Sequence, residues 1–183
     1  MASVRIRNEN EQITTEDAVG RYLNGRGLCY QRWGTERLQG RLKTAYDLSE
    51  AERKMLLEAY ATDIQALKTT RGYVTEDIIV LSPDMPNLPA ILAKFDREHH
   101  HTDDEVRFVV DGRGIFTIRQ DDLIFDVEVA SGDLFVVPAY TRHWFTLTSE
   151  KQIKCIRIFK DTAGWVALYD THPQDHGNAK RNA

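Results

Sequence analysis

Three of the six histidines of the chain stand in a row, followed by three carboxylates and an arginine, in Glu98-His99-His100-His101-Thr102-Asp103-Asp104-Glu105-Val106-Arg107. Neutral imidazole and carboxylate groups are good ligands for divalent transition metals. Because side chains two residues apart on a strand point to the same face, His99 and His101 can bind one ion while His100 points away. Glu105 needs only a short turn to reach the same ion. The stretch therefore predicts three ligands of one metal site.

A fourth ligand is predicted downstream, at His143. The run Gly132-Asp133-Leu134-Phe135-Val136-Val137-Pro138 reads as a strand that ends at Pro138, after which the chain turns and His143 opens the next strand. In a β-barrel, side chains from separate strands meet in the interior, so a distant histidine can complete the site. Three histidines and one glutamate leave positions of an octahedral ion open. This mixed set suits iron, nickel, manganese or cobalt, and the open positions indicate catalysis rather than a structural role.

The sequence around these ligands predicts a β-rich fold. Short β-type runs, separated by turn sequences such as Asp111-Gly112-Arg113-Gly114, indicate an antiparallel sandwich or barrel. These runs are Ile78–Leu81, Ile91–Phe95, Val106–Val110, Ile115–Ile118, Leu123–Val129, Leu134–Val137, Trp144–Leu147 and Ile153–Phe159. Further upstream, Ser49-Glu50-Ala51-Glu52 is a capping box, and apolar residues at helical spacing behind it predict one long amphipathic helix over about residues 50–68.

We therefore expect a single domain over residues 1–183, with three parts. An α-rich layer takes residues 1–75, a β-barrel takes residues 76–162, and a C-terminal segment with a polar tail takes residues 163–183. The net charge of −4 argues against nucleic acid as a partner. No apolar run approaches the ~20 residues of a membrane span, and the first residues lack a signal-peptide core.

The two cysteines, Cys29 and Cys155, lie among apolar neighbours without a nearby ligand partner, which predicts free buried thiols in a non-secreted chain. These features favour a cytoplasmic protein with no membrane partner. A self-contained barrel needs no second subunit, so a monomer is expected.

Both ligand-bearing stretches resemble the motifs of the cupin superfamily. His99-x-His101-x-x-x-Glu105 with Gly112 resembles the first cupin motif, and the run from Gly132 through Pro138 to His143 resembles the second. Tyr140 departs from the pattern, since many cupins carry glycine after the proline. The implied fold is a cupin barrel, a double-stranded β-helix or jelly roll, with an N-terminal helical layer.

A narrower resemblance points to one enzyme family. The stretch from Glu98 to Phe108 resembles the site segment of the acireductone dioxygenases of methionine salvage, and the similarity extends to the chain length, the N-terminal helical layer, Arg157 and Trp165. The family implies one Fe²⁺ or Ni²⁺ per chain and an acireductone and O₂ as substrates. The ligands would be His99, His101, Glu105 and His143, the polar substrate-binding residues Glu98, Arg107 and Arg157, and the pocket residues Phe95, Phe108, Phe145 and Trp165.

The family also implies that the metal decides the products. With iron, the enediol substrate with a methylthioethyl tail would give 4-methylthio-2-oxobutanoate and formate. With nickel, it would give 3-methylthiopropanoate, formate and carbon monoxide. Glu98 would either orient a ligand or take a proton from the substrate.

Other interpretations remain open at the level of sequence. Arginines on barrel strands often pair with carboxylates, and phenylalanines on strands belong to the core by default. Another cupin oxygenase or a sugar isomerase would carry a similar metal site, as would a non-catalytic metal-binding cupin module. A phosphosugar isomerase should offer a Lys/Arg cluster, and a regulator should offer a DNA-binding helix pair or a basic face.

Overall fold

The computed structural model of the chain describes residues 1–9, 11–161 and 166–169. The elements in the first half of the chain are β1 (Ser3–Ile6), β2 (Glu11–Ile13), α1 (Glu16–Asn24), β3 (Cys29–Arg32), α2 (Arg41–Thr44), α3 (Glu50–Ala59), α4 (Ala61–Arg71), β4 (Thr75–Leu81) and α5 (Leu88–Phe95). Those that follow are β5 (Glu105–Gln120), β6 (Leu123–Ala130), β7 (Asp133–Val137), β8 (Arg142–Leu147) and β9 (Ile153–Phe159).

The long strand β5 organises the sheet. Its first half pairs with β7 and β9, and its second half pairs with β6 and β8, always antiparallel. The strands β3 and β4 extend one half through β7 and β9, while β1 and β2 extend the other through β6. The described strands thus form one antiparallel sheet curled around an interior, and the predicted mainly β architecture is confirmed.

The curl is produced where β5 passes from one half of the sheet to the other. Its pairing with β9 shifts register between Val109 and Asp111, and a shift of this kind bends a strand and increases its twist. Gly112 follows with φ +80°, and a Cβ atom there would collide with the backbone carbonyl of Gln152. The glycine of the first motif is therefore required by both backbone conformation and space.

Two apolar clusters lie on the two faces of this sheet, and the alternation of side chains along β5 separates them. One cluster fills the interior and includes Val109, Phe116, Phe135, Phe145 and Cys155. The other covers the outer face and joins Phe108, Val136 and Ile156 to Leu56, Tyr60 and Ile64 of the helices. The predicted helical layer therefore packs on the outside of the barrel.

The first 75 residues also supply strands β1, β2 and β3, so this part of the chain is interleaved with the barrel. On β3, the Tyr30 hydroxyl and the Arg32 guanidinium donate to the fully buried carboxylate of Asp133, at 2.9 and 2.6 Å. Cys155 is buried and Cys29 is half-buried, and both are free thiols. Among the described residues, no helix combines the length and apolarity that a membrane crossing requires.

The predicted helix over residues 50–68 is two helices, α3 and α4. The capping box of Ser49 and Glu52 is present, but the helix breaks at Tyr60, which has φ −114° and ψ 11°. The Tyr60 ring is fully buried and packs 4.6 Å from Phe108 between ring centroids, and its hydroxyl donates to the carbonyl of Gly34. Tertiary packing of this aromatic ring thus accompanies a break that apolar periodicity did not reveal.

The strand predicted at Ile91–Phe95 is wrong, because these residues belong to helix α5. A short run with four apolar residues among five fits a buried strand and one face of a helix equally well. Pro89 stands in the first turn, where its missing N–H has no intrahelical partner to lose. The helix brings Phe95 to the open end of the barrel.

The backbone requirement at Gly112 is testable by comparing Gly112→Ala with Gly72→Ala. Both glycines have positive φ, +80° and +76°, but a Cβ at position 72 would meet nothing within 4 Å. Gly72→Ala should therefore lower the free energy of unfolding by about 1–2 kcal/mol, the penalty of the left-handed conformation. Gly112→Ala should cost about 1–3 kcal/mol more, because backbone must also move. Chemical denaturation of the metal-free proteins measures both, and equal losses would contradict the collision.

Candidate metal centre

Two backbone hydrogen bonds bring the separated ligand segments together. The amide of His99 donates to the carbonyl of His143 at 3.0 Å, and the amide of His143 donates back to His99 at 2.9 Å. Glu105 opens β5 beside them. As a result, one ligand atom from each of His99, His101, Glu105 and His143 lies within 4.8 Å of the others, and all four residues are buried. The predicted convergence of the two motifs is confirmed.

The loop between His101 and Glu105 is held by Asp104. One oxygen of its carboxylate accepts from the amide of Ala139 at 3.1 Å, in the turn that precedes His143. The other accepts from the hydroxyl of Tyr73 and the ammonium of Lys160, each at 3.0 Å. This carboxylate therefore fixes the position of one ligand loop against the other.

Each of the three imidazole rings is oriented through its Nδ1 atom. The Nδ1 of His99 lies 2.6 Å from the carbonyl oxygen of Arg97, and the Nδ1 of His143 lies 2.8 Å from that of Thr141. The Nδ1 of His101 lies 2.9 Å from the carbonyl oxygen of Val166. Because a carbonyl oxygen only accepts, each Nδ1 carries the proton. In a neutral ring, the Nε2 atom then keeps its lone pair.

These donor atoms fit a divalent cation. The carboxylate oxygen Oε2 of Glu105 lies 3.1 Å from the Nε2 of His101 and 2.9 Å from the Nε2 of His143. If both rings are neutral, each Nε2 lone pair points at the carboxylate oxygen, which is also an acceptor. These atoms repel one another unless a positive charge lies between them. Second partners of this kind, which hold the far nitrogen of a ligand histidine, are typical of metal sites.

The electrostatics of the site are dominated by Glu105 and Arg107. Burial alone would raise the pKa of Glu105, but the Arg107 guanidinium, together with the contacts to His101 and His143, holds it well below its usual range. The Nε of Arg107 donates to Oε1 of Glu105 at 2.5 Å, and both side chains are almost fully buried. Glu105 is therefore a carboxylate at neutral pH.

The net shift of the pKa has opposite directions in His99 and His101. Burial lowers the pKa of His99 to about 4, so its ring is neutral at pH 7 and offers a lone pair to a metal. Burial also lowers the pKa of His101, but contact with the Glu105 carboxylate outweighs it and the net direction is upward. The position between the His101 ring and the Glu105 carboxylate thus favours a cation.

Three of the four ligands, His99, His101 and Glu105, line a cavity of about 170 Å³. Of the residues that the sequence predicted for substrate binding, Arg107, Arg157, Phe95 and Phe145 line this cavity. The guanidinium carbon of Arg107 lies 5.1 Å from the centroid of the Phe145 ring. Arg157 donates twice to the carboxylate of Asp77, at 2.8 and 2.5 Å, which fixes the plane of its guanidinium.

Two predicted site residues lie elsewhere. Glu98 is not among the described residues that line the cavity, and its carboxylate accepts from Nε of Arg119 at 3.0 and 2.9 Å. Phe108 follows Arg107 on β5, so it faces the outside of the sheet, where it packs 4.9 Å from Trp33 between ring centroids. Phe108 therefore belongs to the outer core and not to the pocket. Trp165 lies outside the described residues.

The cavity also has lining residues that the sequence did not single out, namely Lys94, Ala167 and Tyr169. The last two belong to the segment 166–169, in which Val166, Leu168 and Tyr169 are exposed and Ala167 is half-buried. No alternation of polar and apolar residues marks this segment as a strand, so the sequence carries no signal that it pairs with His100.

Comparisons with known proteins agree with this site. The model of the ARD/ARD′ family matches residues 30–167. An acireductone dioxygenase from Sulfurihydrogenibium is 46% identical over 170 residues, covering 93% of this chain and 95% of that protein. One from Bacillus subtilis is 44% identical over 172 residues, covering 93% of this chain and 97% of that protein.

A solved structure is similar over the same extent. It is an acireductone dioxygenase from Bacillus anthracis with a cadmium ion in its active centre, 42% identical, with a TM-score of 0.89, and the match covers 92% of this chain and 98% of that one. With a buried site of three histidines and one glutamate inside a curled antiparallel sheet, this chain belongs to the acireductone dioxygenase (ARD/ARD′) family.

Proposed function

We propose that this chain cleaves an acireductone with O₂ at the buried site, using one Fe²⁺ or Ni²⁺ per chain. The observation that carries the proposal is that the four-ligand site adjoins a cavity in which His99, His101 and Glu105 meet two arginines and two phenylalanines. That combination suits a small substrate with an anionic, oxygen-rich end and an apolar tail. An enediol next to a ketone, with a methylthioethyl chain, has this composition.

The donor set is suited to the ion. Iron or nickel held by His99, His101, Glu105 and His143 would supply a Lewis acid that binds and orients the enediolate oxygens for reaction with O₂. The chain contributes the fixed imidazoles and a carboxylate that Arg107 keeps ionised. Fixed ligands of this kind need little rearrangement when substrate binds.

The two arginines provide positive charge for the substrate oxygens. Arg107 is 3% exposed, so its charge acts in a poorly solvated environment where it attracts an anion strongly. Arg157 lies at the same cavity with its guanidinium plane set by Asp77. Planar guanidinium groups present paired N–H donors that match neighbouring oxygens of an anion.

The apolar part of the cavity would bind the substrate tail. Phe95 arrives from helix α5 and Phe145 from strand β8, so the two rings reach the cavity from different elements. Contact with such rings excludes water from the thioether and from reactive intermediates. The family resemblance implies the same role for Trp165, which lies outside the described residues.

Glu98 is proposed as a positioning residue rather than a base. Its carboxylate contacts Arg119 on β5 and, at 3.7 Å, Arg142 at the start of β8. It therefore ties the first residue of the ligand stretch to the two strands beside it. We further propose that the enzyme works as a monomer in the cytoplasm, which agrees with all four ligands coming from one chain.

The decisive experiment loads the metal-free protein separately with iron and with nickel and supplies acireductone under oxygen. The iron form should give 4-methylthio-2-oxobutanoate and formate. The nickel form should give 3-methylthiopropanoate, formate and carbon monoxide, the products that the family resemblance implies for this metal. Both forms can be prepared because the same ligand set accepts both ions. Product analysis by mass spectrometry and gas chromatography measures this, and if neither form consumes substrate faster than its spontaneous oxidation, the proposal fails.

The four-ligand assignment is tested by His143→Ala with His100→Ala as the matched control. His143→Ala should weaken metal binding by more than about 100-fold, since it removes a ligand rather than its second partner. The barrel should stay folded, because the bonds between residues 99 and 143 use main-chain atoms. His100→Ala should keep one metal per chain. Elemental analysis after dialysis and circular dichroism measure both, and full metal occupancy of His143→Ala would contradict the assignment.

The role of Arg107 is tested by Arg107→Gln with Arg113→Gln as the control on the same strand. Loss of a charge-assisted hydrogen bond to the substrate should lower kcat/KM by about 10- to 100-fold. Rates are normalised to bound metal, because Arg107 also contacts Glu105. Arg113 pairs with Glu128 at the surface, so its variant should turn over normally. Normal turnover of metal-loaded Arg107→Gln would place Arg107 in a structural role.

A further inference from the structure

The three ligand histidines do not obtain their second partners in the same way. For His99 and His143, the carbonyl that holds Nδ1 lies two residues earlier in the chain, so the ring is oriented by its own local segment. For His101, the carbonyl belongs to Val166, 65 residues away. His101 is thus the ligand whose orientation depends on a distant segment of chain.

That distant segment, Val166–Tyr169, lies along the extended residues 99–101, which we call the ligand strand. The amide of His100 donates to the carbonyl of Leu168 at 3.0 Å, and the amide of Leu168 donates back to His100 at 2.9 Å. The ligand strand is therefore paired on one side with His143 and on the other side with this segment. We call Val166–Tyr169 the C-terminal strap.

The side chain of Tyr169 attaches the strap to helix α5. The hydroxyl of Tyr169 donates to the carbonyl of Lys94 at 3.0 Å, in the last turn of helix α5, where carbonyls lack intrahelical partners. The Tyr169 ring lies between the guanidinium of Arg97, 4.5 Å from the ring centroid, and the imidazole of His99, 5.8 Å between centroids. The same ring lines the cavity.

We infer that Tyr169 is a positioning residue for the metal centre: by anchoring the strap to helix α5, it places the Val166 carbonyl that holds His101 in its metal-binding orientation. The strap thereby links the wall of the substrate cavity to the retention of the metal. The consequence for catalysis rests on the proposed function, whereas the consequence for metal binding does not. Outer partners of ligand histidines typically change metal affinity by about 10- to 100-fold.

The test compares Tyr169→Phe, Tyr169→Ala and the control Tyr140→Phe. Tyr169→Phe removes only the hydroxyl, which contacts Lys94. Tyr169→Ala also removes the ring, which contacts Arg97 and His99. Tyr140 lies beside the same ligand strand, with its ring 6.1 Å from that of His100 between centroids, but it is 68% exposed. All three keep the main-chain bonds of their own residue, so each can be purified in its metal-loaded form.

Two measurements are made on each variant. The first is the rate at which the nickel-loaded protein releases its metal to excess chelator. The second is the exchange rate of the Nδ1 proton of His101 in the zinc-loaded protein, followed by NMR against the Nδ1 proton of His99. Tyr169→Phe should speed both metal release and exchange at His101 by about fivefold, the value of one hydrogen bond. Tyr169→Ala should speed them by about tenfold or more.

The inference is overturned by any of three results. These are unchanged metal release in both Tyr169 variants, faster release with unchanged exchange at His101, or an equal effect in Tyr140→Phe. In Tyr169→Phe, exchange at His99 should stay at the wild-type rate, because this variant keeps the ring that contacts Arg97 and His99 and the partner carbonyl of His99 is local. The Tyr169 variants could show the expected pattern of metal release while the wild-type protein does not turn over acireductone. That result would refute the proposed function and leave the role of Tyr169 intact.

Discussion

The structure depends on one constraint, the burial of a carboxylate among three imidazoles. Glu105 is 3% exposed, and a charge taken out of water needs compensating charge and hydrogen bonds close by. Arg107 supplies one compensation at 2.5 Å from Oε1. The other oxygen faces the Nε2 atoms of His101 and His143, so a cation held at that point would compensate it. A metal ion bound there would therefore contribute to the electrostatic balance of the interior as well as to the chemistry.

This constraint explains the arrangement of strands around the site. Glu105 and Arg107 lie on the same face of β5, so the ligand and its counter-charge enter the interior together while Val106 and Phe108 cover the outer face. The backbone bridge between His99 and His143 sets the distance between the two motifs without using their side chains. The bend at Gly112 then lets one strand serve both halves of the sheet, which encloses the site.

The sequence predicted those features that depend on local spacing. The ligands follow from strand alternation and turn lengths, and the capping box at Ser49 follows from residues three apart. Phe108 was misassigned although the same alternation excludes it, because adjacent strand residues cannot both face the interior. The break at Tyr60 and the helix at Leu88–Phe95 were missed for a different reason. Both accompany packing against elements distant in sequence, and short apolar runs do not encode that packing.

The partner of His101 shows why a ligand set is easier to predict than the shell that holds it. A ligand must have a particular side chain, so its identity is visible in the sequence. A carbonyl that orients a ligand can belong to any residue, and Val166 qualifies only because the main chain passes at that point. Substitutions there would leave the acceptor atom unchanged. The visible trace of such a partner is the side chain that anchors its segment, and in this chain that side chain is Tyr169, with its hydroxyl on the carbonyl of Lys94.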